Sequence, residues 1–234
     1  MKDNINTSLT LNRKIVIEVR FDATPRILDL KGTIIENIKK LNLFPTFHWE
    51  LGDSVIAIKD AKVPNFIRNQ VIIELNRFAF VSTKIDSVDS FYSKFQKILT
   101  ELSSLLDLNS FTRIGCRIQG TYKVKSSKYD NVLKSFIDSF PSTIFIEDFP
   151  STDLLFRLNY QNGMYQIGPI KDNDGFLKRE FPYDDRNNTV GVAIDTDNFL
   201  QKISEKELTT TKIKDVVTAS LAVEKSLYEK LKDF

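Results

Sequence analysis

The chain has 234 residues, with 33 Lys and Arg against 31 Asp and Glu for a formal net charge of +2, and is 41% apolar and 27% charged. This is enough chain for one large or two small domains with a sizeable core, and the composition excludes wholesale disorder and any basic block of the kind dedicated nucleic-acid binders carry. A single cysteine, Cys116, and a single histidine, His48, exclude an internal disulfide and a Cys/His zinc site.

The segment from Met1 to Asn12 is polar and reads as a flexible leader without the apolar stretch of a secretory signal. No apolar run reaches the roughly 18 residues of a spanning helix, so a cytoplasmic protein is expected. Ile15, Ile17, Val19 and Phe21 alternate with polar neighbours, the period of a half-buried strand. Thr33 and Glu36 have capping-box spacing, and Ile34, Ile35, Ile38 and Leu41 supply the stripe of a first helix. Thr46–Glu50 and Val55–Lys59 flank Gly52-Asp53 as a hairpin, and Pro64 breaks the chain. Val71–Leu75 and Phe78–Ser82 are two further strands around Asn76-Arg77. From Ser87 to Leu106, Phe91, Phe95, Ile98, Leu99 and Leu102 recur at helical spacing behind a capping Asp86 or Ser87.

The second half repeats this order. Arg113–Ile118 is a strand with Cys116 on its apolar side, which predicts a buried thiol. A helix follows over Ser127–Phe140, then strands at Thr143–Glu147, Leu154–Tyr160 and Met164–Ile167, the last two joined by an Asn162-Gly163 turn whose positions need positive φ. Asp172–Asn188 reads as a mobile loop, Val190–Asp195 as the final strand, and the stripe containing Ile213, Val216, Val217 and Leu221 as a long terminal helix. The expected fold is therefore α+β, with two similar β-α-β-β-β-β-α halves at 13–108 and 109–234 forming a curved, mostly antiparallel sheet backed by helices. A shift of 97 positions pairs Arg20 with Arg117, Thr24 with Thr121 and Lys31 with Lys128. The topology resembles the repeat of the TATA-binding-protein fold, and a shared fold carries no shared function.

No Gly-x-Ser-x-Gly, P-loop or dinucleotide glycine pattern occurs, so no catalytic residue and no cofactor are assigned. Asp172-Asn173-Asp174-Gly175 has a fragment of a calcium-loop pattern but reads as a turn. Asp195 and Asp197 could hold Mg²⁺ with Asp184 or Asp185, or cap the turn after their strand. His48 reads as a surface or sheet-face residue. Arg20, Arg113, Arg117 and Arg157 all lie opposite the apolar positions of their strands. Guanidiniums there could take a polyanion or an acidic peptide, or pair with Glu18, Glu50 or Glu147. Lys212, Lys214, Lys225, Lys230 and Lys232 line the terminal helix with Asp215, Glu224 and Glu229 as a solvated face, or Tyr228 and Phe234 make a partner contact there.

Several segments together resemble a sporadically distributed family of prokaryotic proteins of roughly 250 residues. They are Arg20-Phe21, Arg77-Phe78-Ala79-Phe80-Val81, the strand Arg113-Ile114-Gly115-Cys116-Arg117-Ile118, similar to that family's Arg-x-Gly-x-Arg strand, and Ala193-Ile194-Asp195 before a terminal helix. Gln119-Gly120 stands where the family places an Asn. The resemblance implies no catalytic residues. It implies horizontally mobile genes, and hence an accessory or sensor subunit of a mobile bacterial or phage-related system such as defence or toxin neutralisation. The leading expectation is non-enzymatic binding of another protein, one encoded nearby or a second copy of the chain. Nucleic-acid or nucleotide binding by the arginine face is the alternative, and no membrane contact is expected.

Overall fold

The computed structural model describes residues 9–60, 69–83, 87–108, 110–139, 154–160, 162–182, 186, 188–204 and 210–234. In chain order its elements are β1 (Thr10–Arg20), α1 (Arg26–Asp29), α2 (Lys31–Lys40), β2 (His48–Leu51), β3 (Val55–Lys59), β4 (Asn69–Glu74), β5 (Arg77–Ser82) and α3 (Val88–Leu106). They continue with β6 (Ser110–Tyr122), α4 (Tyr129–Ser139), β7 (Phe156–Tyr160), β8 (Gly163–Lys171), α5 (Gly175–Glu180), β9 (Val190–Ser204) and α6 (Thr210–Leu231). Among the described residues this is an α+β protein: one nine-stranded antiparallel open sheet in the order β2-β3-β4-β5-β1-β6-β9-β8-β7, packed with six helices. None of those helices is long and apolar enough to cross a membrane. The described residues divide into two compact units, one of 14–117 and 197–221, the other of 9–13, 118–196 and 222–234.

In the first unit the alternation of β1 decides which face becomes core. Ile15, Ile17 and Val19 are buried, and the antiparallel ladder to β5 sets Phe78 and Phe80 on the same side. Helix α3 covers them, with Phe95 stacked on Phe78 and Phe91 on Phe80, both at 5.2 Å between ring centroids. Ser87 caps α3 by accepting the Ser90 amide at 3.1 Å, and the helix stops at Asp107 in the left-handed region (φ 52°). Helix α2 buries Ile34, Ile35 and Ile38. Helix α6 is tied to β6 by Ser220, whose hydroxyl donates to the Cys116 carbonyl at 2.8 Å. Cys116 is buried, as its strand position implies.

In the second unit the sheet is covered on both faces. Ile167 and Ile194 pack with Val132 and Phe136 of α4 and with Tyr228 and Leu231 of α6. Ile170 and Ala193, of opposite parity on the same strands, pack instead with Phe176, Leu177 and Phe181 in and beside α5.

Five expectations need correction. Strand β1 begins at Thr10, so the polar leader is shorter than expected, and residues 1–8 lie outside the described residues. Helix α2 starts at Lys31 without a side-chain cap, so Thr33 is inside the helix and forms no capping box. The hairpin between β7 and β8 closes on the pair Tyr160 and Gly163, and no described glycine has positive φ. Gly163 is needed for space, because a Cβ there would meet the Tyr165 ring. The expected loop over 172–188 contains α5, whose N-cap Asp174 accepts the Phe176 amide at 2.7 Å. Strand β9 runs on through Asp195-Thr196-Asp197 to Ser204, so these residues lie within the strand and not in a turn after it. The strand expected at 143–147 and the break at Pro64 lie outside the described residues.

Candidate functional site

The face of β1 opposite its core side chains carries Glu18 and Arg20. The ladder sets Arg20 directly across from Arg77 and Glu18 across from Ala79, while Arg77 faces Glu74 on β4. Two like charges opposite each other would repel. Glu18 resolves this from one pair along, where the small Ala79 leaves room for diagonal reach. Its carboxylate accepts from Arg20 Nε at 2.7 Å, from Arg77 Nη1 at 2.9 Å and from Arg113 Nη1 at 2.9 Å. Arg77 continues to both oxygens of Glu74 at 2.8 and 2.5 Å. Arg113 on β6 reaches both oxygens of Asp197 on β9 at 2.8 and 2.7 Å, with its guanidinium 4.6 Å from the centroid of the Phe199 ring.

The network is graded in exposure. Glu18, Arg113 and Asp197 are 12%, 14% and 18% exposed, while Arg77 and Arg20 open to 37% and 48%. The charge of Arg117 also acts on Asp197. The hydrogen bond from Arg77 holds the Glu74 carboxyl below its ordinary range and raises Arg77 further above its own. At Asp197 burial is the larger effect and raises the carboxyl, against the pull of Arg113 and Arg117.

Of the four arginines singled out in the sequence, Arg20, Arg113 and Arg117 fall in this unit. Arg157 belongs to the other, exposed on β7 opposite Gln166, whose amide oxygen can accept its Nη2 at 3.2 Å. Glu18 is the pairing partner among the three acids proposed. Glu50 instead pairs with Lys59, and Glu147 lies outside the described residues. Arg77 was missed; its signal was the spacing of Glu74 and Arg77 around a two-residue turn.

Asp195 is buried and accepts from Gln119 Nε2 at 3.2 Å, while Asp197 is engaged by Arg113. Asp184 and Asp185 lie outside the described residues, among which no group of three or more His, Cys, Asp or Glu is placed to hold a metal. Asp172 accepts the amides of Asn188 and Thr189, both at 2.5 Å, so this acidic stretch organises a turn. His48 is exposed on β2. Lys214 of α6 pairs with Asp89 at 3.0 Å, and Lys232, just past the helix, with Glu229 at 2.6 Å.

Glu224 departs from the expected solvated face. It is fully buried in the second unit, bound bidentately by Arg13 at 2.7 and 2.6 Å, and accepts the hydroxyl of the buried Tyr122. Burial first, then the Glu224 charge, raises the Tyr122 phenol well above its ordinary value, so it stays protonated as a donor. Among the described residues, these contacts tie β1, β6 and α6 together. The sequence matches no protein-family model, and no curated protein is similar to it.

Two outcomes follow from this geometry. Glu224→Ala removes the bidentate carboxylate from the largely buried Arg13, a loss of about 3–5 kcal/mol in urea unfolding. Arg13→Met, Glu224→Leu and Tyr122→Phe together recover most of it, since the phenol hydroxyl that Glu224 accepts is removed as well, and a loss below about 1 kcal/mol for the single variant would contradict the assignment. For Glu74 the folded carboxyl titrates below the unfolded one, so its contribution is present above about pH 4.3 and is lost as pH falls through the folded value. Glu74→Gln therefore flattens the acid limb of stability relative to the parent, read as urea midpoints at successive pH values.

Proposed function

We propose that the protein is a non-enzymatic binding subunit, an adaptor, sensor or accessory component, that recognises a protein partner through the Glu18-centred charged face. The observation that carries this reading is the pairing of the arginines. Three of them converge on Glu18, and Glu74 and Asp197 hold the outer two. A polyanion must compete with three carboxylates for guanidiniums that are already hydrogen-bonded, whereas a mixed-charge protein surface exchanges partners with both signs. Nucleic-acid or nucleotide binding by Arg20, Arg113, Arg117 and Arg157 is the weaker reading for the same reason. The resemblance to sporadically distributed prokaryotic proteins supports a place in a mobile defence or toxin-neutralising system.

The test is a tagged pull-down from the native host, with and without nuclease, using the parent and Arg20→Glu. Arg20 is half exposed, so its reversal leaves the fold intact, which a melting curve checks. A stoichiometric protein that survives nuclease and is lost with Arg20→Glu is the expected result. Recovery of nucleic acid, with proteins lost on nuclease treatment, overturns the reading, as does turnover of a nucleotide by the purified chain.

We also propose that the two halves descend from one duplicated unit with a curved sheet. Strand order supports it: β1 neighbours β5, the last strand of its half, and β6 neighbours β9, the last of its own, while β3-β4-β5 and β7-β8-β9 are each sequential. Amide hydrogen exchange bears on it: five protected strands in each half are the expected outcome, and a second half protected only at β6–β9 counts against duplication.

A further inference from the structure

Strand β2 ends the sheet order of the described residues, so one of its edges has no neighbour among them. Its four residues are all exposed, and beside Glu50 it sets two large apolar side chains, Trp49 at 53% and Leu51 at 47%, on an open edge. Gly52 donates to the Val55 carbonyl at 2.9 Å, which fixes the hydrogen-bonding parity of the β2–β3 hairpin. Gly52, Glu50 and His48 turn their backbone groups toward β3, and Leu51 and Trp49 turn theirs outward. The free edge thus offers the amide and carbonyl groups of the residues with the large exposed apolar side chains.

We propose that this edge pairs with β2 of a second copy of the chain, antiparallel about a two-fold axis at Trp49. The sequence Phe47-His48-Trp49-Glu50-Leu51 is self-complementary about its centre. In this register Trp49 faces Trp49 of the other copy as a hydrogen-bonded pair, Phe47 faces Leu51, and His48 faces Glu50 on each side. The other register that keeps Trp49 and Leu51 hydrogen-bonded sets Glu50 against Glu50 in the closer, non-hydrogen-bonded position, where like charges are unfavourable. Charge therefore selects the Trp49-centred pairing. Within each copy Lys59, which faces His48 across the hairpin, also pairs with Glu50, so both signs are present where the copies meet. The two-fold closes on itself and joins one free edge to its equal. This interface lies on a different strand from the Glu18 network and stands or falls independently of the reading above.

Trp49 is the chain's single tryptophan, so its emission reports this interface alone. The full-length protein is followed by sedimentation velocity and by tryptophan emission between about 1 and 200 μM, a range that brackets micromolar association. A monomer–dimer transition is expected, with the emission shifting to the blue along the same isotherm. His48→Glu places two acids opposite each other and raises the dissociation constant at least about tenfold, equivalent to about 1.4 kcal/mol. Adding Glu50→Lys restores the pairing with exchanged signs. A monomer throughout the range overturns the proposal. So does a dimer whose affinity ignores His48→Glu, or whose formation leaves the tryptophan emission unmoved.

Discussion

The alternation of β1 is the constraint on which the first unit depends. Ile15, Ile17 and Val19 are buried on one side, and Glu18 and Arg20 stand on the other. A slip of one residue would exchange the two sets. Each isoleucine brought out of water by the native register contributes about 1.5–3 kcal/mol, while an unpartnered buried carboxylate costs several kcal/mol. The register is thus secured twice, and the charged network follows from it. Once Val19 pairs with Phe78, Arg20 must face Arg77, and Glu18 is the nearest group that can neutralise both.

That logic also explains what could be read from the amino acids alone. Period-two strands such as β1 and the capped, strongly striped α3 state their structure locally, and both lie where their patterns put them. Helix α5 does not. It has six residues in a polar stretch, and its Phe176 and Leu177 gain a reason to be buried only when Ile170 and Ala193 are beside them. The extension of β9 was hidden because Asp-Thr-Asp resembles a turn; its acids accept from Gln119 and Arg113, both on β6. Glu224 was hidden most completely. It sits among lysines on a helix that looks solvated, and its partner Arg13 is 211 positions away. Periodicity reports which face a residue occupies, and long-range ion pairing reports why a charge may leave water. Only the first is local.

The two ionic clusters illustrate opposite uses of the same chemistry. In the second unit Arg13 and Glu224 are closed off from solvent, 12% and 0% exposed, and Tyr122 donates to the same carboxylate. In the first unit the arginines become progressively wetter from Arg113 to Arg77 to Arg20 while remaining paired. Charges fully in water contribute little to recognition because they are screened, and charges fully buried are unavailable. A half-open network whose acids and bases nearly balance lies between these limits. A partner presenting its own carboxylates and cations can take over one hydrogen bond at a time, leaving no buried charge unpaired at any stage. On the binding reading proposed above, selectivity would reside in the spacing of Arg20, Arg77 and Glu18, which the ladder sets. A phosphate taking these guanidiniums would have to release Glu18, Glu74 and Asp197 and leave three carboxylates beside the bound negative charge, which is why the binding reading proposed above favours a mixed-charge partner.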